Sequence, residues 1–171
     1  MGESTKEHLK ELLASFDTAM LITRVGEQDH ARPMALAGVD GANVLWFVTS
    51  QWSTKVGEIQ QDRRVSATFQ SSRRFVALSG MAQLVNDRAK IAALWKPSFQ
   101  VWFPDGKDDP KISLIRVTVT DAEFWDNAGM YGIKYAFEAA KAVLKGEEPK
   151  PVPGVHGRIE TNGNIPSSQR H

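Results

Sequence analysis

The chain has 171 residues, of which 42% are hydrophobic and 24% are charged, and this length and composition are typical of one globular domain with a substantial core. Its formal net charge is +1, so no overall field attracts it to nucleic acid or to an anionic membrane. It contains no cysteine, which excludes disulfides, thiolate catalysis and iron–sulfur clusters.

The first half of the chain reads as a helix, three strands and a second helix. Ser4 and Glu7 form a capping box ahead of an apolar stripe at helical spacing, made of Leu9, Leu12, Leu13 and Phe16. Strands are predicted over Thr18–Val25, residues 30–37 and residues 44–49, with hairpin turns at residues 26–29 and 38–41. Both faces of the third strand are apolar, which predicts a central strand. Residues 52–61 then form a short helix with Val56 and Ile59 turned inward.

The second half adds three strands, two helices and a tail. The strands are predicted over Arg64–Gln70, residues 74–84 with a bend at Gly80, and residues 111–120 with a continuation to Asp126. Asp87 caps a short helix that ends near Trp95, residues 97–110 are irregular, and residues 131–145 form a last helix. We expect residues 1–145 to form the folded domain. The Pro- and Gly-rich residues 146–171 should be a tail that is mobile or packs on the surface. About six strands with hairpin turns and peripheral helices favour a mainly β fold, an antiparallel barrel or sandwich.

The end of the third strand carries the clearest functional signal. The apolar run stops in hydroxyl side chains and one cation, namely Thr49, Ser50, Ser53, Thr54 and Lys55. A strand that ends where a helix begins presents unpaired N–H groups, and those donors, the hydroxyls and the lysine together favour a bound phosphate. The alternative is a buried strand followed by an ordinary Ser/Thr helix cap.

The polar N-terminus and the absence of a long apolar run indicate no signal peptide and no membrane span, so we expect a cytoplasmic protein. The four histidines lie far apart, and no metal site is predicted. The acidic segment 105–110 lacks the ligand pattern of a calcium loop and is interpreted as a turn.

Four segments, taken in order, resemble one known family. They are residues 31–36 (ARPMAL); residues 45–50 (LWFVTS) followed by 53–55 (STK); residues 75–82 (FVALSGMA); and Trp95 followed by residues 102–110 (WFPDGKDDP), 114–117 (LIRV) and 123–126 (EFWD). Over about residues 5–126 the chain resembles the split-barrel proteins that bind flavin mononucleotide (FMN), the pyridoxamine 5′-phosphate oxidase-like group. Within that group it looks closest to the bacterial general stress protein 26 branch.

The resemblance implies an antiparallel split β-barrel of about six strands and a homodimer with FMN at the subunit interface. Carried over by position, the strand beside the flavin contributes Arg32, Pro33 and Met34, and the strand end near the ring or ribityl chain contributes Val48 and Thr49. The phosphate end matches Ser53, Thr54 and Lys55. Trp125 matches a late aromatic residue that approaches the flavin from the same or the other subunit.

Three of these residues also have a plainer interpretation. Arg32 and Lys55 could be solvated surface residues, and Trp125 could pack in the core or a dimer interface. Trp46 is interpreted as a core residue, whereas Trp102 and Phe103 could belong to the core or to a wall near the ligand.

The chain departs from true pyridoxamine phosphate oxidases at two places. Their late Arg-x-His motif is missing after Trp125, and the glutamine before residues 76–78 is replaced by Phe75. No candidate catalytic residue stands out, so any chemistry should belong to the flavin. The sequence therefore predicts an FMN-binding stress protein, as a flavin-dependent oxidoreductase, carrier or sensor. The alternatives are a vitamin B6 phosphate oxidase, the same fold with deazaflavin or haem, and an interaction domain without a cofactor.

Overall fold

The computed structural model describes residues 2–41, 43–146, 148, 152 and 154–160, apart from the side chains of residues 2, 3 and 131. The helices are α1 (Gly2–Ala14), α2 (Thr54–Gln61), α3 (Arg88–Leu94) and α4 (Gly129–Lys145), and two short 3-10 helices span Pro97–Val101 and Gly106–Asp108. The strands are β1 (Thr18–Val25), β2 (Gln28–Asp40), β3 (Val44–Ser50), β4 (Arg64–Gln70), β5 (Arg74–Val85), β6 (Ile112–Asp126) and β7 (His156–Glu160). None of these helices is long and apolar enough to cross a bilayer.

Six antiparallel strands close into a barrel, as the sequence predicts. The order is β3-β2-β1-β4-β5-β6, and β3 also pairs with β6 to close the ring. β6 is long enough to have two successive neighbours along one edge. The first half of β6 lies between β3 and β5, and its second half pairs with β5 and with the additional strand β7.

Strand β3 separates two apolar clusters, which explains why both of its faces are apolar. Leu45 and Phe47 point into the barrel core, where α1 packs over one end with Leu9, Leu12 and Leu13. The other face, with Trp46 and Val48, packs outside the barrel. There it meets Ile91 of α3 and two phenylalanines of the following segment, Phe99 and Phe103. Trp46 is therefore a core residue, as predicted.

The predicted elements differ from the structure mainly at their ends. Helix α1 begins at Gly2, so Ser4 lies within it rather than at its cap. β2 continues through Gly38 because the register with β3 shifts between Leu36 and Gly38, a bulge that accommodates the glycine, and the turn is confined to the residues around Gly41. The register also shifts next to Gly80, where a bend was predicted. The Asp87 side chain caps α3 by accepting from the amides of Ala89 and Lys90.

The largest difference lies in the tail. Residues His156–Glu160 pair in register with residues 121–125 of β6, and Ile159 is buried in the barrel core. The tail therefore contributes a strand, because the outer edge of β6 offers unpaired backbone groups to it. The predictions for Pro149, Pro151, Pro153 and residues 161–171 lie outside the described residues.

Candidate functional site

A cavity of about 370 Å³ opens where β2 and β3 meet the start of α2. It brings together five of the residues predicted to bind the cofactor, namely Pro33, Met34, Val48, Thr49 and Lys55. Trp102 and Phe103 form a further wall. Phe103 is anchored in the outer apolar cluster, whereas Trp102 is 60% exposed and leaves an aromatic surface uncovered. The cavity therefore has an apolar side and a polar end.

The polar end is built by the junction of β3 and α2. Thr49 is buried at the end of β3, Ser53 holds the N-cap position of α2, and Lys55 follows in its first turn. Lys55 Nζ lies 3.3 Å from Thr49 Oγ1, which lies 3.1 Å from Ser53 Oγ. The Ser53 hydroxyl makes no capping hydrogen bond with the α2 backbone, so it remains turned toward Thr49. Two hydroxyls and one ammonium thus converge beside the helix N-terminus.

Lys55 is a partly buried cation. Burial lowers the pKa of Lys55, and the nearby positive charge of Arg32 lowers this pKa further, while Glu58 opposes both. Because these surroundings disfavour the charged form of the lysine, an anion that binds beside it would stabilise that form. The electrostatics at this end of the cavity therefore suit an anionic group such as a phosphate.

Arg32 is not among the residues that line the cavity, but it directly precedes Pro33, which is, and its charge acts on Lys55 at the polar end. It lies on the same face of the β1–β2 hairpin as His30 and Thr23 and reaches across to α2. Its Nη2 donates to Glu58 Oε2 at 2.7 Å, and its Nη1 donates to the Thr23 hydroxyl. Only 22% of the Arg32 side chain is exposed, and both of its terminal nitrogens are hydrogen-bonded. Arg32 is therefore not a solvated surface residue, which was the alternative interpretation.

Glu58 is the centre of this network and was missed by the sequence analysis. Its side chain is 7% exposed, and it accepts hydrogen bonds from Thr23 and Arg32 at Oε2 and contacts His30 Nδ1 at Oε1 over 2.8 Å. Burial alone would raise the pKa of Glu58, but the hydrogen bonds from Thr23, His30 and Arg32 outweigh it and lower the pKa to about 2. The carboxylate is therefore ionised at neutral pH. The sequence did contain one sign of a role for Glu58, because it lies three residues after Lys55 and so shares one face of the predicted helix with it.

Two predicted residues, Thr54 and Trp125, lie elsewhere. Thr54 is the first residue of α2 and does not line the cavity. Trp125 lies near the far end of β6, twelve residues beyond Ser113, the residue of β6 that pairs with Thr49. Trp125 does not line the cavity either. Trp125 instead stacks on His156 with a centroid distance of 5.3 Å and an interplanar angle of 16°.

Among the residues that the structure describes, no group of three or more His, Asp or Glu side chains could hold a metal ion. In the acidic segment, the carboxylate of Asp109 is buried and accepts from the amide of Lys111 at 2.8 Å, as in a turn.

Comparison with known proteins gives a family match over most of the chain. The family described as pyridoxamine 5′-phosphate oxidase like matches residues 4–150. The chain is 27% identical over 129 residues to the protein bli-3 of Neurospora crassa, and the match covers 68% of this chain and 62% of bli-3. The chain thus spans less than two thirds of the length of that relative.

Solved structures share the fold. A general stress FMN/FAD binding protein from Xanthomonas citri is 31% identical, with a TM-score of 0.63 over 74% of this chain and 92% of that one. A general stress family protein from Xanthomonas campestris is 34% identical, with a TM-score of 0.61 over 74% and 89%. A protein described as general stress protein 26 from Jannaschia sp. CCS1 has a TM-score of 0.75 over 94% and 100%, at 21% identity, and this likeness concerns the fold alone.

Proposed function

Because the chain belongs to the pyridoxamine 5′-phosphate oxidase-like family, we propose that it binds FMN in the cavity between β2, β3 and α2. In this proposal it acts in a general stress response as a flavin-dependent oxidoreductase, carrier or sensor. The observation that carries the proposal is a single cavity that combines an apolar wall with a converging cationic and hydroxyl end. FMN has this same division between a flat aromatic ring and a phosphate.

The apolar side of the cavity suits the ring. Val48, Met34 and Phe103 supply apolar surface, and Trp102 offers an exposed aromatic face on which a ring could stack. A volume of about 370 Å³ falls within the range of small-ligand sites. When bound, the flavin would supply reversible hydride or electron transfer. The protein would hold the ring and limit the access of water to it.

The phosphate end suits an anion. Lys55 would supply a positive charge, and Thr49 and Ser53 would supply hydroxyl donors. The Thr49 hydroxyl lies 3.3 Å from Lys55 Nζ, and the Ser53 hydroxyl lies 3.1 Å from that of Thr49. Arg32 would add a second cation next to Lys55, since the two charges are close enough for Arg32 to lower the pKa of Lys55. The relative from Xanthomonas citri, which is described as FMN/FAD binding, supports a flavin ligand for this chain.

We further propose a homodimer in which the flavin lies at the subunit interface. The outward face of α4 supports a dimer, because Met130, Ile133, Phe137 and Leu144 share one helix face and are each at least 60% exposed. At roughly 100 Å² of apolar area per side chain, a symmetric contact through this face would bury on the order of 800 Å² in total, so neighbouring surface would have to contribute to a stable interface. Trp125 does not line the cavity of its own chain, and in this arrangement it would approach the flavin of the second copy.

The test is to identify what the purified protein carries. We propose a cytoplasmic location and expect the protein purified from there to show the absorption bands of a flavin. The ligand released by denaturation should have the mass of FMN. Protein stripped of its ligand should bind FMN about 10- to 100-fold more tightly than riboflavin, which lacks the phosphate, because charge-assisted hydrogen bonds hold that group. A colourless protein that binds neither compound would refute the proposal and favour an interaction domain without a cofactor.

The same purified protein can be used to distinguish the two remaining alternatives, a vitamin B6 phosphate oxidase and a cavity that binds a different ligand. Oxidation of pyridoxamine 5′-phosphate by the FMN-loaded protein would identify a vitamin B6 phosphate oxidase. We expect none, because the Arg-x-His motif is absent after Trp125. Recovery of deazaflavin or haem in place of FMN would retain the cavity but change the ligand.

A further inference from the structure

We propose that Glu58 is a positioning residue for phosphate binding, which holds the Arg32 guanidinium in place beside Lys55. This inference rests on the proposed function, because it assigns the phosphate to that end of the cavity. Glu58 would not contact the ligand itself. It would act through the cation that it orients.

The argument begins with the placement of Glu58. Lys55 and Glu58 are three residues apart on α2 and therefore share one face of the helix. Lys55 lines the cavity, whereas Glu58 is buried behind it against the β1–β2 hairpin. The helix thus presents a cation to the ligand and a carboxylate to the strand that carries Arg32.

The hydrogen bonds of the network fix the guanidinium in two directions. Arg32 donates from Nη2 to Glu58 and from Nη1 to Thr23, and Thr23 in turn donates to Glu58. These three groups form a closed triangle, so the guanidinium plane cannot rotate without breaking two bonds at once. A guanidinium has five N–H donors, and the triangle uses two of them. The other three take no part in the triangle, and in this proposal one of them donates to the phosphate.

His30 completes the coordination of the carboxylate. Its Nδ1 lies 2.8 Å from Glu58 Oε1, so both carboxylate oxygens have partners and Oε2 is directed toward Arg32. Arg32 and Lys55 repel each other, and without Glu58 the longer arginine side chain would move away from the lysine toward solvent. Such a fixed arrangement lowers the entropy cost of binding a phosphate, because the donor is already in position.

The proposal predicts the sign of a mutational effect. Removing the negative charge of Glu58 raises the positive charge of the site, so an effect of charge alone would strengthen the binding of a phosphate. Loss of positioning predicts the opposite. We expect E58A to weaken FMN binding by about 10- to 100-fold, the size of one charge-assisted hydrogen bond to the phosphate, and to change riboflavin binding by less than about threefold.

The experiment measures the dissociation constants of FMN and riboflavin for wild type, E58A, E58Q and T23V by fluorescence titration. E58Q keeps the shape and one acceptor oxygen, so its loss should lie between wild type and E58A. T23V removes a second anchor of Arg32 without changing any charge and should also lower the ratio of FMN to riboflavin affinity. Glu27→Gln, at an exposed site in the turn of the same hairpin, is the matched control and should bind as wild type does.

The outcomes separate this inference from the proposed function. If wild type binds neither compound, the proposed function is wrong and the inference fails with it. If wild type prefers FMN and the ratio is unchanged or increased in E58Q and T23V, only the positioning role is wrong. Equal losses for FMN and riboflavin would indicate a purely structural role and would also overturn it. A fall in the ratio in folded E58Q and T23V, judged by their melting temperatures, would support it even if E58A does not fold.

Discussion

The buried carboxylate of Glu58 makes the stability of the protein depend on pH in a way that can be calculated. Hydrogen bonds lower the pKa of Glu58 from an ordinary 4.5 to about 2. A carboxyl group with a lowered pKa in the folded state adds stability above its unfolded pKa and loses it as the pH falls through its folded pKa. The contribution of Glu58 should therefore be complete above about pH 5 and disappear between about pH 4.5 and 2.

The size of the effect follows from the shift. One pKa unit corresponds to about 1.4 kcal/mol, so a shift from 4.5 to about 2 gives an upper figure of roughly 3 kcal/mol. The side chain of His30, one of the three partners, is 45% exposed, and solvent weakens its share. We therefore expect E58Q to lower the free energy of unfolding by about 2–3 kcal/mol at pH 7.

The assay compares wild type and E58Q by urea unfolding at several pH values between 7 and 2.5. Other carboxyl groups titrate in both proteins, including Asp62, whose pKa is lowered to about 2 by its hydrogen bonds from Arg64, and they cancel in the difference. Protonated Glu58 resembles glutamine, so the two unfolding free energies should converge as the pH falls. A difference that stays constant from pH 7 to pH 2.5 would refute the assignment of the network to an ionised Glu58.

Three further predictions concern the ligand, the barrel and the dimer. K55A should weaken FMN binding by about 10- to 100-fold, whereas K111A, outside the cavity, should leave it unchanged; equal affinities would contradict the phosphate role. G80A should destabilise the protein by about 1–3 kcal/mol, because a Cβ would lie 2.4 Å from a backbone oxygen of β6, whereas G57A has open space and should stabilise α2 by up to about 1 kcal/mol. If urea unfolding showed that G80A and G57A both lower, or both raise, the free energy of unfolding, this reasoning would be wrong. Phe137→Glu should shift the mass measured by light scattering from dimer to monomer, and a wild-type mass would exclude the α4 face as the interface.

Much of the cavity could be predicted because its residues are close in the sequence. Thr49, Ser53 and Lys55 lie within seven residues, at a point where an apolar run changes to hydroxyls, and local rules place a strand end and a helix start there. Pro33 and Met34 were supplied by the family resemblance instead, and the structure brings them into the same cavity.

The Glu58 network could not be predicted in the same way. Arg32 and Glu58 are 26 residues apart, and their contact depends on the register of the β1–β2 hairpin and on the rotation of α2 against it. A shift of one residue in that register would turn Arg32 to the other face of the sheet. Neither the register of the hairpin nor the rotation of α2 can be obtained from composition or periodicity. Strand β7 was missed for a related reason, because its five residues gain their partners only from the free edge of β6.

The two cations of the site connect ligand binding to protonation. Arg32 and burial both lower the pKa of Lys55, which means that the empty site stores an unfavourable interaction. A bound phosphate would offset that interaction and raise the pKa of Lys55. By thermodynamic linkage, the free energy of this pKa change equals the amount by which the charged lysine strengthens phosphate binding. FMN affinity should therefore decrease at alkaline pH as Lys55 loses its proton, and riboflavin affinity should decrease much less. A parallel decrease for both compounds would mean that Lys55 does not face the phosphate.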